Sequence, residues 1–451
     1  MKRKASRAFI YLPLFLLGLV LCITPVYAAE LVWNGSLETE TRFSLSDEQE
    51  LTMLEANLRF QPEVTADYAH FYAELRYRIP GLRAAVAGTE PNAGSQAQLS
   101  FNGVNPAQLE INEAYLDLYG FPHKAIDLRI GKQLISWGTG YLLNPTNNLN
   151  PEDFRDIFNF GQYLGTQAIK ATAFLGDFTL TGIYLPAFAP AALPATQDQS
   201  LFTPTFPTFP FPTNEPVVKT VIPGQKPGGW GFKLDKSLFG LDFSLSYVEG
   251  RYTLPVPKVT LTPQEGSVNV LCELIFPTRK ILGFDLAGSY GDLGFWGEMA
   301  VFFPEEVKTT WDLTPLIGQK LEITTLEKKA YQKYLIGLDY AIGSFYANLQ
   351  YLYGFPQEMG ADNLGSYFIS CLEWTLGDGK VKIPFNTCLE VRDFNNFGDN
   401  HALIYQPQLC LYPEMNTEII LGVRVIDGQP GTTLGRLKDL DAISLKVKYS
   451  F

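Results

Sequence analysis

Seven basic side chains recur at alternate positions towards the two ends of the chain: Arg42, Arg59, Arg76 and Arg78 early, Arg424, Lys446 and Lys448 late. Five carboxylates, Glu38, Glu40, Glu55, Glu74 and Glu418, keep the same spacing. Cations gathered on one surface raise the local concentration of anionic solutes, or they pair with the carboxylates and stiffen the wall that carries them. Both readings fit the spacing. Seven cations against five anions predict a weak preference for anions such as acidic sugars or carboxylates, despite the acidic total. Arg129, within Leu128-Arg-Ile-Gly-Lys132, is a further candidate of this type.

Covalent chemistry is hardly represented. His70, His123 and His401 are the only histidines, and there is no Gly-x-Ser-x-Gly elbow, no His-Glu-x-x-His and no Gly-rich loop after a strand. No catalytic, cofactor or metal site is expected, and His70 and His401 read as polar residues of an interior surface. Beyond residue 28 the cysteines are Cys272, Cys371, Cys388 and Cys410, without a Cys-x-x-Cys pair. Hairpin register sets Cys371 opposite about Phe385 and Cys388 opposite about Ile404, an offset beyond disulfide reach, which predicts free thiols.

Only extended strands place alternate residues on one surface. In the last stretch Ile443, Leu445, Val447, Tyr449 and Phe451 alternate with Ala442, Ser444, Lys446, Lys448 and Ser450. From Ala69 to Ile79, the apolar Ala69, Phe71, Ala73, Leu75, Tyr77 and Ile79 alternate with His70, Tyr72, Glu74, Arg76 and Arg78. Arg or Lys facing lipid costs about 2–4 kcal/mol at the membrane midplane, so the polar sets belong to a water-filled lumen. The pattern returns at about 31–43, 51–61, 67–79, 108–121, 125–137, 163–175, 177–185, 229–239, 240–250, 279–290, 291–303, 331–342, 343–354, 364–376, 380–392, 400–412, 415–427 and 439–451. Two of these, 163–175 and 331–342, alternate weakly. Junctions alternate between tight turns, such as Gly377-Asp378-Gly379, and long segments, such as 80–107, 138–162, 186–228, 251–278 and 304–330. The expected fold is all-β: a transmembrane antiparallel up-and-down β-barrel of about 18 strands (16–18), with short periplasmic turns and long extracellular loops. That size leaves an aqueous pore, lined by mixed charges rather than by an apolar plug.

The start of the chain reads as a leader. Lys2, Arg3, Lys4 and Arg7 precede an apolar run from Phe9 to Ile23, and Val26-Tyr27-Ala28 offers a cleavage site, giving a secretory signal peptide over 1–28 and one barrel domain over 29–451. Its removal takes the formal net charge from −12 to −16, which argues against nucleic acid as a partner. Zero mean hydropathy with 14% aromatic residues excludes a helical membrane protein and suits half-apolar strands.

The terminal Phe451, with Tyr449 two residues before it, resembles the assembly signal of outer-membrane β-barrels, which implies the barrel-assembly machinery as a partner. Glu113-Ala-Tyr-Leu-Asp-Leu-Tyr-Gly120, Leu128-Arg-Ile-Gly-Lys-Gln-Leu-Ile-Ser-Trp-Gly138, Leu143-Asn-Pro-Thr146 and Leu149-Asn-Pro-Glu-Asp153 resemble a pattern in porin-like outer-membrane proteins of largely unknown function, distantly similar to alginate-export barrels. The family implies a monomeric barrel conducting solute; from the sequence, monomer and trimer are both open. Within the motif, 138–162 reads as a structural clamp, and Pro151 to Phe154 as the start of a short extracellular helix. The Pro/Phe-rich loop at about 186–228 either projects outward or folds into the mouth, and the sequence does not choose. The expectation is an outer-membrane channel for passive diffusion of small hydrophilic solutes, with a weak preference for anionic ones. Its alternative is a non-transport barrel, either a membrane-embedded hydrolase or a surface anchor.

Overall fold

The computed structural model describes residues 30–45, 50–80, 108–194, 202, 211–224, 227–264 and 267–451. The leader, most of the 80–107 loop and most of the Pro/Phe run lie outside the described residues. Eighteen strands form one closed antiparallel sheet. They are β1 (Glu30–Ser44), β2 (Leu51–Ala66), β3 (Ala69–Pro80), β4 (Gln108–Leu118), β5 (Ile126–Gln133), β6 (Thr166–Leu175), β7 (Phe178–Leu185), β9 (Gly229–Leu238), β10 (Leu241–Arg251), β13 (Thr278–Tyr290), β14 (Leu293–Pro304), β17 (Tyr331–Ile342), β18 (Phe345–Tyr353), β19 (Ser366–Leu376), β20 (Val381–Val391), β21 (His401–Leu411), β22 (Thr417–Gly428) and β23 (Ala442–Ser450). All eighteen coincide with stretches of period-2 alternation, with ends shifted by a few residues.

Burial is inverted relative to a water-soluble protein. Leu245, Leu282, Ile336, Leu421 and Leu445 are about half exposed, whereas Ser244, Asp285, Glu298, Lys333 and Glu390 are buried. Successive side chains of a strand point to opposite faces, so the exposed apolar set is the outer, lipid-facing surface and the buried polar set faces the interior. One end of the barrel is closed by tight turns. Between β9 and β10 the two turn residues Phe239 and Gly240 both take positive φ, 55° and 79°, the twist that suits a two-residue hairpin.

The opposite end carries the long connections, and here the structure departs from the sequence reading. Segments 251–278 and 304–330 contain hairpins: β11 (Val256–Gln264) with β12 (Ser267–Ile275), and β15 (Val307–Asp312) with β16 (Lys320–Leu326). β8 (Val217–Thr220) adds to β12 in parallel, so the described end of the Pro/Phe-rich loop is sheet. A small core of Leu261, Val268, Val270, Trp311 and Leu313 holds these hairpins together. Cys272 of β12 belongs to this outer sheet, and all four described cysteines are free thiols.

The barrel closes between β1 and β23, with Ser36 opposite Ser450 and Glu38 opposite Lys448. Gly35 and Phe451 exchange backbone hydrogen bonds of 2.9 and 3.0 Å. A Cβ on Gly35 would lie 2.5 Å from the Phe451 ring and 2.7 Å from the Arg59 carbonyl oxygen. Both Tyr449 and Phe451 are half exposed on the outer face. Replacing Gly35 by Leu should therefore push the ring off the seam and lower the heat-modifiable, folded fraction several-fold on an unboiled gel. A wild-type fraction would show that this contact does not support closure.

A lumen narrowed by an inward loop: the candidate functional site

Residues 134–165, between β5 and β6, lie against the inside of the wall. Ile135, Trp137 and Leu149 pack with Ile183, Val248, Ile281 and Phe302. Leu143, Ile157 and Phe158 pack with Leu335, Leu352, Tyr367, Ile404 and Ile426. Burial of each large apolar side chain contributes about 1.5–3 kcal/mol, enough to fix a segment without regular structure. This corrects the expectation of an interior lined by mixed charges alone: on these faces the wall is apolar because the loop covers it. It also explains the weak alternation of β17, where the inward Leu335 is apolar like its outward neighbour Ile336. Pro151 to Phe154 form no helix. Glu152 and Asp153 instead make single bridges to Tyr163 and Ala192, while Phe202 of the Pro/Phe run lies 5.1 Å from Phe154, ring to ring.

One carboxylate pins the loop. Glu298 of β14 accepts hydrogen bonds from the backbone N–H groups of Thr139 (2.6 Å), Gly140 (2.5 Å) and Thr146 (3.2 Å) and from the Thr146 hydroxyl (2.8 Å). Gly138 must be glycine here: its φ is +93°, and a Cβ would stand 2.6 Å from the Glu298 carboxylate. Asn150 ties the loop to its own base, accepting from Ile135 N–H at 2.7 Å and donating to the Leu164 carbonyl at 2.8 Å.

Beside the loop lies a cavity of about 160 Å³ whose basic lining is Arg59, Arg76, Arg78, Arg155 and Lys446. Most of these cations are paired. Arg76 meets Glu74 at 2.6 Å, Arg78 chelates Glu55 at 2.6 and 2.7 Å, and Lys446 reaches Glu40 at 3.1 Å and Glu38 at 3.5 Å. Arg42 bridges Glu40 at 2.5 Å and both oxygens of Asp156 in the loop. Arg155 joins Asp153 and Glu110 at 2.6 and 2.9 Å. Arg59 is the loosest, 3.9 Å from Glu74 with 44% of its side chain exposed.

The remaining candidates lie elsewhere. Arg129 chelates Asp117 and covers the Tyr115 ring at 3.9 Å. Arg424 donates to the Leu440 carbonyl and lies 3.4 Å over the Phe158 ring. Lys448 stands opposite Glu38 and Glu418 in register and makes no ion pair within 4.0 Å among the described residues. His70 bridges Glu63 and Asp117 inside the barrel. His401 is a correction: Ala402 and Ile404 are the buried, inward residues of β21, so His401 shares the outward parity of Leu403 and stacks on Phe397 at 4.5 Å. Glu298 and Asp156 escaped sequence reasoning because their partners are distant in the chain, whereas Arg155, paired with the nearby Asp153, lies in a stretch without strand alternation.

Burial alone would raise the loop carboxyls, yet Arg42, with help from Arg424, holds Asp156 below the usual carboxylate range, and Arg155 does the same for Asp153. A depressed carboxylate contributes stability that is present above its unfolded pKa of about 3.9 and lost as pH falls through the folded value. Protease protection of the loop should therefore be the same at pH 8 and pH 5. Loss of protection already at pH 5 would contradict these pairs as its anchors.

No family model and no curated protein matches the sequence. Solved structures do match over nearly the whole chain. OccAB4 of Acinetobacter baumannii aligns with TM-score 0.53 at 11% identity, covering 95% of this chain and 100% of its own. OpdK of Pseudomonas aeruginosa, solved with vanillate, aligns with TM-score 0.52 at 11% identity over 94% of this chain and 98% of its own. The fold is that of an outer-membrane porin-like barrel. A. baumannii OccAB3 shares it, with TM-score 0.50 at 11% identity over 94% and 99%. At these identities the likeness is one of fold, and it agrees with the apolar outer band and polar interior described above.

Proposed function

We propose that the chain is an outer-membrane channel for passive diffusion of small hydrophilic solutes, with a weak preference for anions. The observation that carries this reading is the charge-lined cavity left between the inward loop and the wall of β1, β2 and β3. A structural anchor needs no polar space inside its barrel. The anion preference rests on Arg59, exposed and loosely held, and on Lys448; the other cations are balanced by Glu55, Glu74, Glu38, Glu40 and Asp156. An anion is drawn to such a wall by its local field. OpdK, which shares the fold, was solved with vanillate. The likeness of Glu113–Asp153 to porin-like outer-membrane proteins distantly similar to alginate-export barrels rests on the sequence motif, and recognition of Tyr449 and Phe451 by the barrel-assembly machinery is proposed on the same footing.

Reversal potentials across a salt gradient test the charge preference. The purified barrel in a planar bilayer should show mild anion selectivity at low salt, weakening at 1 M where the Debye length falls to about 3 Å. Cation selectivity of the unmodified channel would refute it.

A further inference from the structure

Next to the basic cavity, and sharing Glu40, Asp156 and Lys446 with it, lies a second cavity of about 270 Å³ against β18 to β23. Cross-strand register aligns Asn348, Cys371, Asn386 and Gln406 in one row on four successive strands. Neighbours in such a row stand about 4.8 Å apart. The adjacent row is Gln350, Ile369, Cys388 and Ile404. Tyr141, Phe158 and Phe160 complete the lining from the inward loop.

Neither row contains a carboxylate, an ammonium or a guanidinium. The charged groups that line the cavity come from β1, β22, β23 and the inward loop and are engaged: Arg42 with Glu40 and Asp156, Lys446 with Glu40 and Glu38, and Arg424 with the Leu440 carbonyl. The amides are not all engaged. Among the described residues the side chains of Asn386 and Gln406 have no hydrogen-bond partner, although both line the cavity. Gln350, 4% exposed, donates to Asn348 at 3.0 Å while its own Oε1 accepts nothing. Buried amide oxygens are normally satisfied, so the row carries more amide hydrogen-bonding capacity than the wall itself uses.

We propose that this slot is a binding site for an uncharged polyhydroxyl ring, a sugar residue. Hydroxyl groups both donate and accept, which matches free amides that offer both functions. The apolar row and the aromatic side chains take the ring's carbon-bound hydrogens, as pockets for such ligands combine apolar walls with a few placed polar groups. An ionised ligand would lose water here beside cations that Glu38, Glu40 and Asp156 already balance, whereas Arg59 in the neighbouring cavity is only loosely held. The proposal rests on the solute-channel reading for the route by which a sugar arrives, but the site itself can be read separately.

Equilibrium dialysis of the purified barrel in detergent against radiolabelled maltose, lactose and sucrose tests it, with benzoate as competitor. Saturable binding of at least one sugar is expected, not displaced by benzoate and weakened at least ten-fold in the double variant Asn386→Ala/Gln406→Ala. Because neither side chain has a partner in the wall, that variant should keep wild-type heat modifiability and ionic conductance. Absence of saturable binding, displacement by benzoate, or unchanged affinity in the double variant would each overturn the site. Loss of conductance in the unmodified barrel would instead count against the channel while leaving the dialysis result to decide the site.

Discussion

Replacing Glu298 by Ala should raise the single-channel conductance several-fold. Its carboxylate accepts four hydrogen bonds that gather Thr139, Gly140 and Thr146 against β14. Removing the acceptor leaves these donors unsatisfied, at about 1–3 kcal/mol for each that stays buried. Apolar packing of Trp137, Leu143 and Phe158 still favours docking, so the loop should exchange between docked and displaced positions rather than leave the lumen. Steps of larger conductance and increased open-channel noise are the expected record. Eighteen paired strands hold the wall independently of this loop, so heat modifiability should survive. An unchanged conductance in a correctly folded variant would mean that the loop does not set the bore.

The second large effect is on ion selectivity. Changing Arg59, Arg76 and Arg78 together to Gln removes three positive charges from one cavity, breaking the Arg78 pair with Glu55 and the Arg59 and Arg76 pairs with Glu74. The acidic side chains that remain in this wall attract cations. The reversal potential should move in the cation-selective direction, and most at about 0.1 M salt, where charges act over about 10 Å. Absence of any shift would show that permeating ions do not pass this wall.

The wall was legible in the sequence and the lumen's contents were not. A period of 2 is a local property, so Ile443 to Phe451 or Ala69 to Ile79 reveal strand and face without knowledge of the partner strand. Register followed nearly as well: Cys371 lies opposite Asn386, one residue from the expected Phe385, and Cys388 lies opposite Ile404 as read. The inward loop left no such trace. Arg42 and Asp156 are 114 residues apart, and Glu298 reaches Thr139 across 159, distances over which no spacing rule operates. The one local hint was the weak alternation of 331–342, where an apolar inward face signals packing against protein rather than water. The hairpins at Val256–Ile275 and Val307–Leu326 lie within long junctions between barrel strands, where nothing in the membrane-crossing pattern requires further strands. His401 was misplaced because a strand's first residue has no earlier neighbour to fix its parity.

The basic wall was legible as a set of residues, but its degree of neutralisation depends on loop carboxylates. Asp153 and Asp156 belong to the inward loop, and they hold Arg155 and Arg42. Counting strand residues alone therefore overstates the positive field, which is why the proposed preference is weak and rests on Arg59 and Lys448.

The central claim is that this barrel conducts. Reconstituting the purified, heat-modifiable protein at low density into a planar bilayer and recording current at fixed voltage tests it most directly. Discrete, uniform conductance steps that scale with salt concentration are predicted, and properly folded barrel that inserts without any step above the bare membrane would contradict the account.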